Sequence, residues 1–446
     1  MEEQIGLEKK VHLPCFILLK EAHAIASGQE CASGNTCKYM NDYYSQCVPG
    51  ADSVTVPSTT AAPLPTSTLA PPVSSTPTIT SVTAVPNPTV PAPTGTAATC
   101  PVPITPAAWP TASSFSAVTT LPDPFIYLAS STRVSSNDEW YNCRQPQILQ
   151  MLQQYQYGFY PDHSLETVAA TRSGNSVSIS VSAGGKKGTF SASINLPKGA
   201  SASAPVGVII AIGGIDNNAY LNNGVAVVTF DYTAVAPDSN SKSGAFWALY
   251  NGRDIGLSRR IDALFKRLLI FLIRLGTLAA WAWGFHRVLD ALILTAPEIN
   301  SKFVGVTGCS RLGKAALAAG LFDTRITVTM PMSSGVQGLG PYRYHGLSGQ
   351  DETLENSKQG AGWWSNSALG TFINQSNKVP FDAHTIAAAI APRALIIDQG
   401  SGDPYTNSKG TAVAVFPAAK AVYDWLGVGS QIGMAIRSGG HCDNSG

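Results

Sequence analysis

A chain of 446 residues has room for about three domains of roughly 150 residues each, or for one longer α/β domain with smaller units, and is large enough to bury a core. Its 29 lysines and arginines face 28 acidic residues, giving a formal charge of +1 with only 13% of positions charged. That balance excludes a nucleic-acid binder, because neutralising phosphates needs a concentrated basic face.

Eight cysteines stand at 15, 31, 37, 47, 100, 143, 309 and 442, without the C-x-x-C pairs of a metal site. Disulfides in an extracellular protein are the expectation, with no metal and no cofactor. Residues 1–30 fit this poorly. They carry Glu2, Glu3 and Glu8, and the apolar run 13–19 ends without a small-residue cleavage site. This atypical segment is read as foreign to the natural start of the protein.

Residues 31–50 form a short cysteine-rich unit, and residues 51–99 are almost wholly Pro, Ser, Thr, Ala and Val, with Asp52 the single charge. Such a stretch lacks the apolar bulk for a core and reads as an extended, O-glycosylated stalk between two units. Residues 100–446 read as one large α/β unit. Apolar runs at 206–212, 225–230, 303–307 and 394–398 read as buried strands, and helical patterns cover 278–294, 312–321, 384–390 and 414–425. Strands alternating with helices predict a mostly parallel sheet covered on both faces, with ligands beyond the carboxyl ends of the strands.

At one such end stands Gly308-Cys309-Ser310-Arg311-Leu312-Gly313-Lys314. A strand turning sharply into a helix puts the Ser310 hydroxyl at the apex, and the amides of the helix start point where an oxyanion would form. The spacing is G-x-S-x-x-G rather than G-x-S-x-G. A base is supplied by His441 in Ser438-Gly439-Gly440-His441-Cys442, in the serine-before-histidine order of α/β hydrolases. Cys309 precedes the serine and Cys442 follows the histidine, so a bond between them would set the two cysteine Cα atoms within about 7 Å and hold nucleophile and base close enough to meet.

The spacing C-x5-C-x9-C from Cys31, ending Asn41-Asp42-Tyr43-Tyr44-Ser45-Gln46-Cys47, resembles the fungal family-one cellulose-binding module. The resemblance implies that Tyr43 and Tyr44 stack on sugar faces while Asn41 and Gln46 bond hydroxyls; the family's glycine-rich first half has no counterpart here.

The elbow run, with Trp281-Ala282-Trp283-Gly284, Ile390-Ala391-Pro392-Arg393 and Gly439-Gly440-His441-Cys442, resembles the glucuronoyl esterases of carbohydrate esterase family fifteen. The resemblance implies an α/β-hydrolase three-layer sandwich that cleaves the ester between 4-O-methyl-glucuronic acid of glucuronoxylan and a lignin alcohol. It further implies a Cys100–Cys143 disulfide, Arg311 in the oxyanion hole and Lys314 on sugar hydroxyls. The family's acid is often Glu in P-x-E-S-G, where this chain has Pro331-Met332-Ser333-Ser334-Gly335. Asp403, after the next-to-last strand, is then the expected acid, with Asp398 the runner-up. Tyr405 falls where relatives carry a sugar-stacking Trp, and Glu352 near a uronate-hydroxyl ligand.

The expected partners are a glucuronoxylan–lignin ester and, through the small module, cellulose; no membrane partner is expected, and the chain is read as a monomer. Other readings are an acetylxylan or feruloyl esterase, a peptidase with the same triad, or a non-catalytic cellulose binder with a decayed hydrolase body. Asn374-Gln375-Ser376 is a glycan acceptor pattern. The basic, apolar stretch 257–275 interrupts the family pattern and reads as a translated intron; its charges at 266, 267 and 274 argue against a membrane span.

Overall fold

The structure is a computed structural model that describes residues 35–41, 44–49, 80–83, 99–250, 275–346 and 351–443. Tyr43, residues 1–30 and nearly all of the 257–275 stretch lie outside these residues. The chain divides into two units, Met1–Ile79 with Gly446, and Thr80–Ser445. In the first, strands β1 (Asn35–Asn41) and β2 (Tyr44–Pro49) form an antiparallel pair, with Cys37 opposite Cys47, Lys38 opposite Gln46, and Asn41 opposite Tyr44.

The second unit is built on a ten-stranded mixed sheet. Its strands are β3 (Thr80–Thr83), β4 (Glu166–Ser173), β5 (Ser176–Ala183), β6 (Lys186–Asn195), β7 (Val206–Ile212), β8 (Ala226–Phe230), β9 (Ile299–Cys309), β10 (Val328–Met332), β11 (Ala394–Gly400) and β12 (Ile432–Arg437). They lie in the order β12-β11-β10-β9-β7-β8-β6-β5-β4-β3. The six strands from β12 to β8 are parallel, and the rest join antiparallel. β3 falls inside the Pro/Ser/Thr-rich stretch, on the outer edge of the sheet, where flanking prolines are tolerated.

The two halves of the sheet follow from different residue patterns. β7 (Val-Gly-Val-Ile-Ile-Ala-Ile) and β8 (Ala-Val-Val-Thr-Phe) are nearly continuous apolar runs, buried on both faces along most of their length. β5 reads Ser-Val-Ser-Ile-Ser-Val-Ser and alternates with period two, so Val177, Ile179 and Val181 enter the core while the serines face outward. This antiparallel meander, β4 to β6, extends the parallel sheet expected from the apolar runs. A 19-residue helix, Thr277–Thr295, is apolar around nearly its whole circumference and is accordingly buried on nearly every face. Trp281 within it donates to the Ala236 carbonyl at 2.7 Å, and Trp283 to Glu166 at 2.8 Å. Glu166 also meets Tyr250 and Arg287; from Arg287 a buried chain of ion pairs continues through Asp290 and Arg325 to Asp323.

The chain reverses its direction of progress across the sheet at β7, whose neighbours are β8 and β9. The crevice at the carboxyl ends of β7 and β9 is therefore the place where the topology itself leaves room for a ligand.

Candidate active site

Ser310 sits in that crevice, between β9 and the helix Arg311–Phe322. Its backbone is in the left-handed region, φ 58° and ψ −128°, which turns the strand into the helix within one residue. The flanking glycines are needed for closeness. A side chain at Gly308 would strike the Leu312 backbone, and one at Gly313 would strike the carbonyls of Met332 and Gly308. The unusual G-x-S-x-x-G spacing thus still forms a nucleophile elbow. The Ser310 amide is tied to the Met332 carbonyl at 2.9 Å, which fixes the turn against β10.

His441 lies on the loop after β12. Its Nδ1 is 2.8 Å from Asp403 Oδ2, and Asp403 lies on the loop after β11. The Cys309–Cys442 disulfide, Cα to Cα 5.7 Å, ties the histidine loop to the end of β9 immediately before Ser310, and Cys100–Cys143 is also formed. Ser310 and His441 line the same pocket of about 370 Å³, together with Lys314, Ser333, Glu352, Asn356, Tyr405 and Thr406. Among the described residues, three of the six non-glycine positions with positive φ are Ser310, Ser333 and Cys442. Backbone strain is thus concentrated here, as it is where geometry is imposed for function.

Asp403 is built to stay ionised. Burial alone would raise its pKa; hydrogen bonds from His441, the Tyr405 amide, the Thr406 hydroxyl and Ser333 prevail and hold it down at about 2. The Asp-Pro-Tyr-Thr sequence makes this possible, because an Asp side chain readily accepts from amides two and three residues on: Tyr405 at 2.8 Å and Thr406 at 3.1 Å. Asp398, the other acid considered, lies within β11 and pairs with Arg437 at 2.7 Å instead of reaching the histidine. Ser333 occupies the P-x-E-S-G glutamate position; it bonds Asp403 and accepts from Arg437 at 3.3 Å.

Lys314 is buried, and its ammonium donates to the carbonyls of Ser334 and Val336 at 2.6 and 2.7 Å and to Glu352 at 2.6 Å. An ammonium has three N–H groups, so a sugar hydroxyl reaching Lys314 must take the place of one of these acceptors. Burial pulls its pKa down, against the opposing pull of Glu352. Tyr405 is 60% exposed and meets the His441 ring edge-on at 5.1 Å between centroids. Arg311 lines a second hollow beside the elbow with Gly213 and Gly214, which follow β7. Asn356, Thr406 and Ser333 were not singled out from the sequence; only the turn chemistry after Asp403 carried a signal for Thr406.

A family model described as glucuronyl esterase of fungi matches residues 179–266 and 258–427. Its two stretches meet inside the basic, apolar run 257–275. The 4-O-methyl-glucuronoyl methylesterase of Podospora anserina is 34% identical over 82% of this chain and 71% of its own length. A glucuronoyl esterase of carbohydrate esterase family 15 from Caldicellulosiruptor kristjansonii aligns with a TM-score of 0.63 at 36% identity, covering 72% of this chain and 86% of that one. A mutant glucuronoyl esterase from Sporotrichum thermophile, in complex with methyl 4-O-methyl-β-D-glucopyranuronate, aligns with a TM-score of 0.56 at 29% identity, covering 73% and 83%. With an elbow serine, a histidine on an aspartate and these relatives in agreement, the chain belongs to the fungal glucuronyl esterase family, carboxylic ester hydrolases of α/β-hydrolase fold.

Proposed function

We propose that this chain hydrolyses the ester between 4-O-methyl-glucuronic acid of glucuronoxylan and a lignin alcohol, using Ser310, His441 and Asp403. The observation that carries this reading is the 2.8 Å contact between His441 and Asp403, on a loop bonded by Cys309–Cys442 to the serine elbow. His441 Nε2 takes the Ser310 proton as Oγ attacks the ester carbonyl; Asp403 keeps Nδ1 protonated and steadies the imidazolium. The tetrahedral oxyanion is held by the Arg311 side chain and the amides at the helix start. His441 then gives its proton to the departing alcohol, and water releases the acid by the same steps in reverse order. The sugar lies against Lys314, Glu352 and Tyr405, and a pocket of about 370 Å³ suits one uronate ring.

The test is hydrolysis of benzyl glucuronate, acetylated xylan and a feruloyl ester by the wild-type chain beside Ser310→Ala. The expected result is cleavage of the glucuronate ester alone, abolished in the variant. Preference for acetylated xylan or the feruloyl ester would replace the substrate assignment, and no ester cleavage at all would mean a decayed hydrolase body.

The same reading places the protein outside the cell, acting as a monomer and held on cellulose through Asn41, Tyr43, Tyr44 and Gln46. The disulfides, and a hairpin that sets Cys37 opposite Cys47, support it. Among the described residues no helix is long and apolar enough to cross a membrane. Retention of the full chain on microcrystalline cellulose, lost in Tyr44→Ala, tests the cellulose contact.

A further inference from the structure

Arg311 does not stand alone beside the elbow. Its Nε lies 2.5 Å from Oδ2 of Asp238, and its Nη2 donates to the Tyr232 hydroxyl at 3.4 Å. The second oxygen of Asp238 is engaged as well: Oδ1 accepts from the indole of Trp363 at 2.8 Å and from that of Trp364 at 2.7 Å. Asp238 comes from the loop after β8, and the two tryptophans come from the segment after the helix Leu354–Ala361. The stretch after β8 thus meets the guanidinium directly, and the segment after the Leu354–Ala361 helix reaches it through Asp238.

The arrangement has a clear physical sense. An arginine at the first turn of a helix has four side-chain torsions and, at a partly exposed site, many orientations of nearly equal energy. A carboxylate on Nε removes most of that freedom while leaving Nη1 and the second N–H of Nη2 available to a ligand. The carboxylate can do this only if it is itself fixed, and two indole donors on its other oxygen fix it. Donors already aimed before charge develops stabilise a transition state without reorganisation at the moment of reaction.

We infer that Asp238 is a positioning residue for Arg311, with Trp363 and Trp364 as the braces that hold it, so that the guanidinium is set toward the oxyanion before substrate arrives. The inference rests on the oxyanion role proposed above for Arg311. It assigns work to a residue that meets the ester only through that arginine.

The experiment is a double-mutant cycle on the full chain with benzyl glucuronate, measuring kcat and KM separately for the wild type, Asp238→Asn, Arg311→Ala and the double variant. Asp238→Asn keeps the side-chain shape but loses the charge. The expected result is a fall in kcat of about 10- to 100-fold with KM changed less than about threefold. That fall lies below the ~10²- to 10³-fold that removing a donor outright costs, since the guanidinium is loosened and not lost. In the Arg311→Ala background the same substitution should change kcat by less than about twofold. Equal losses in both backgrounds would overturn the inference, because a merely structural residue acts without regard to Arg311. If Arg311→Ala itself leaves kcat unchanged, the oxyanion assignment falls instead, a distinct outcome. Asp238→Glu, which restores the charge, should recover part of the rate. Should Asp238→Asn lower the unfolding temperature so far that kinetics cannot be read, Trp363→Phe replaces it in the cycle; it removes one brace, and its smaller loss of kcat should likewise vanish without Arg311.

Discussion

Cys309 and Cys442 are bonded with their Cα atoms 5.7 Å apart, and they are the immediate chain neighbours of Ser310 and His441. The bond spans 133 residues and joins the end of β9 to the loop after β12. Replacing both cysteines by serine should cost about 2–5 kcal/mol of stability, chiefly through the freed unfolded chain. It should also cost about 100-fold in kcat, since small displacements of base from nucleophile are expensive. Denaturant unfolding and turnover on benzyl glucuronate check the two effects; full activity in the variant would show that packing alone holds the pair.

Asp403→Asn should lower kcat by about 10⁴-fold, because the amide favours the wrong imidazole tautomer. The same residue gives a stability signature with a definite sign. Its folded pKa, about 2, lies below the unfolded value of about 3.9. Its contribution is therefore complete above pH 4 and is lost as the pH falls from about 4 toward about 2. Unfolding curves of wild type and variant should converge over that window; a gap unchanged between pH 5 and pH 2 would contradict it.

The buried pair of Glu166 and Arg287 offers a test remote from the chemistry. Removing only the acid, as in Glu166→Leu, strips the buried guanidinium of one of its two carboxylate partners and should cost up to about 3–5 kcal/mol. The double variant Glu166→Leu with Arg287→Met should cost less than the sum of the single changes. Asp290, already 2.8 Å from Arg287 Nε, would soften the first effect. Equilibrium unfolding of the four proteins settles the comparison, and strict additivity would mean the two groups do not interact.

Tyr405 presents an exposed ring edge-on to His441. Tyr405→Ala should raise KM for benzyl glucuronate about fivefold, roughly 1 kcal/mol of aromatic contact, with kcat nearly unchanged. Tyr405→Trp should hold or lower KM. A large loss of kcat in the alanine variant would show that the ring serves the histidine more than the sugar.

Much of this molecule was legible in its residues, and the gaps have physical causes. The elbow and the histidine loop were carried by local patterns, a strand-to-helix glycine run and a Gly-Gly-His-Cys end, whereas Asp403 was reached through the family resemblance, by its place after the next-to-last strand. The strands β7 and β8 were visible as nearly continuous apolar runs. The β4–β6 meander escaped because its apolar content is halved by outward serines, although the period-two alternation of 176–182 was the signal to follow. Asp238, Trp363 and Trp364 could not be found locally at all. They are more than a hundred residues apart in sequence, and no period or motif links an acid after β8 to two indoles beyond β10. Their convergence on Arg311 exists only once the sheet has formed.

Each cation beside Ser310 is answered by an acid: Arg311 by Asp238, and Lys314 by Glu352. The crevice therefore offers little net attraction to an anion. Hydrolysis turns a neutral ester into a carboxylate, so the freshly made uronate finds no unmatched positive charge to detain it. Added free glucuronate should accordingly inhibit turnover only weakly.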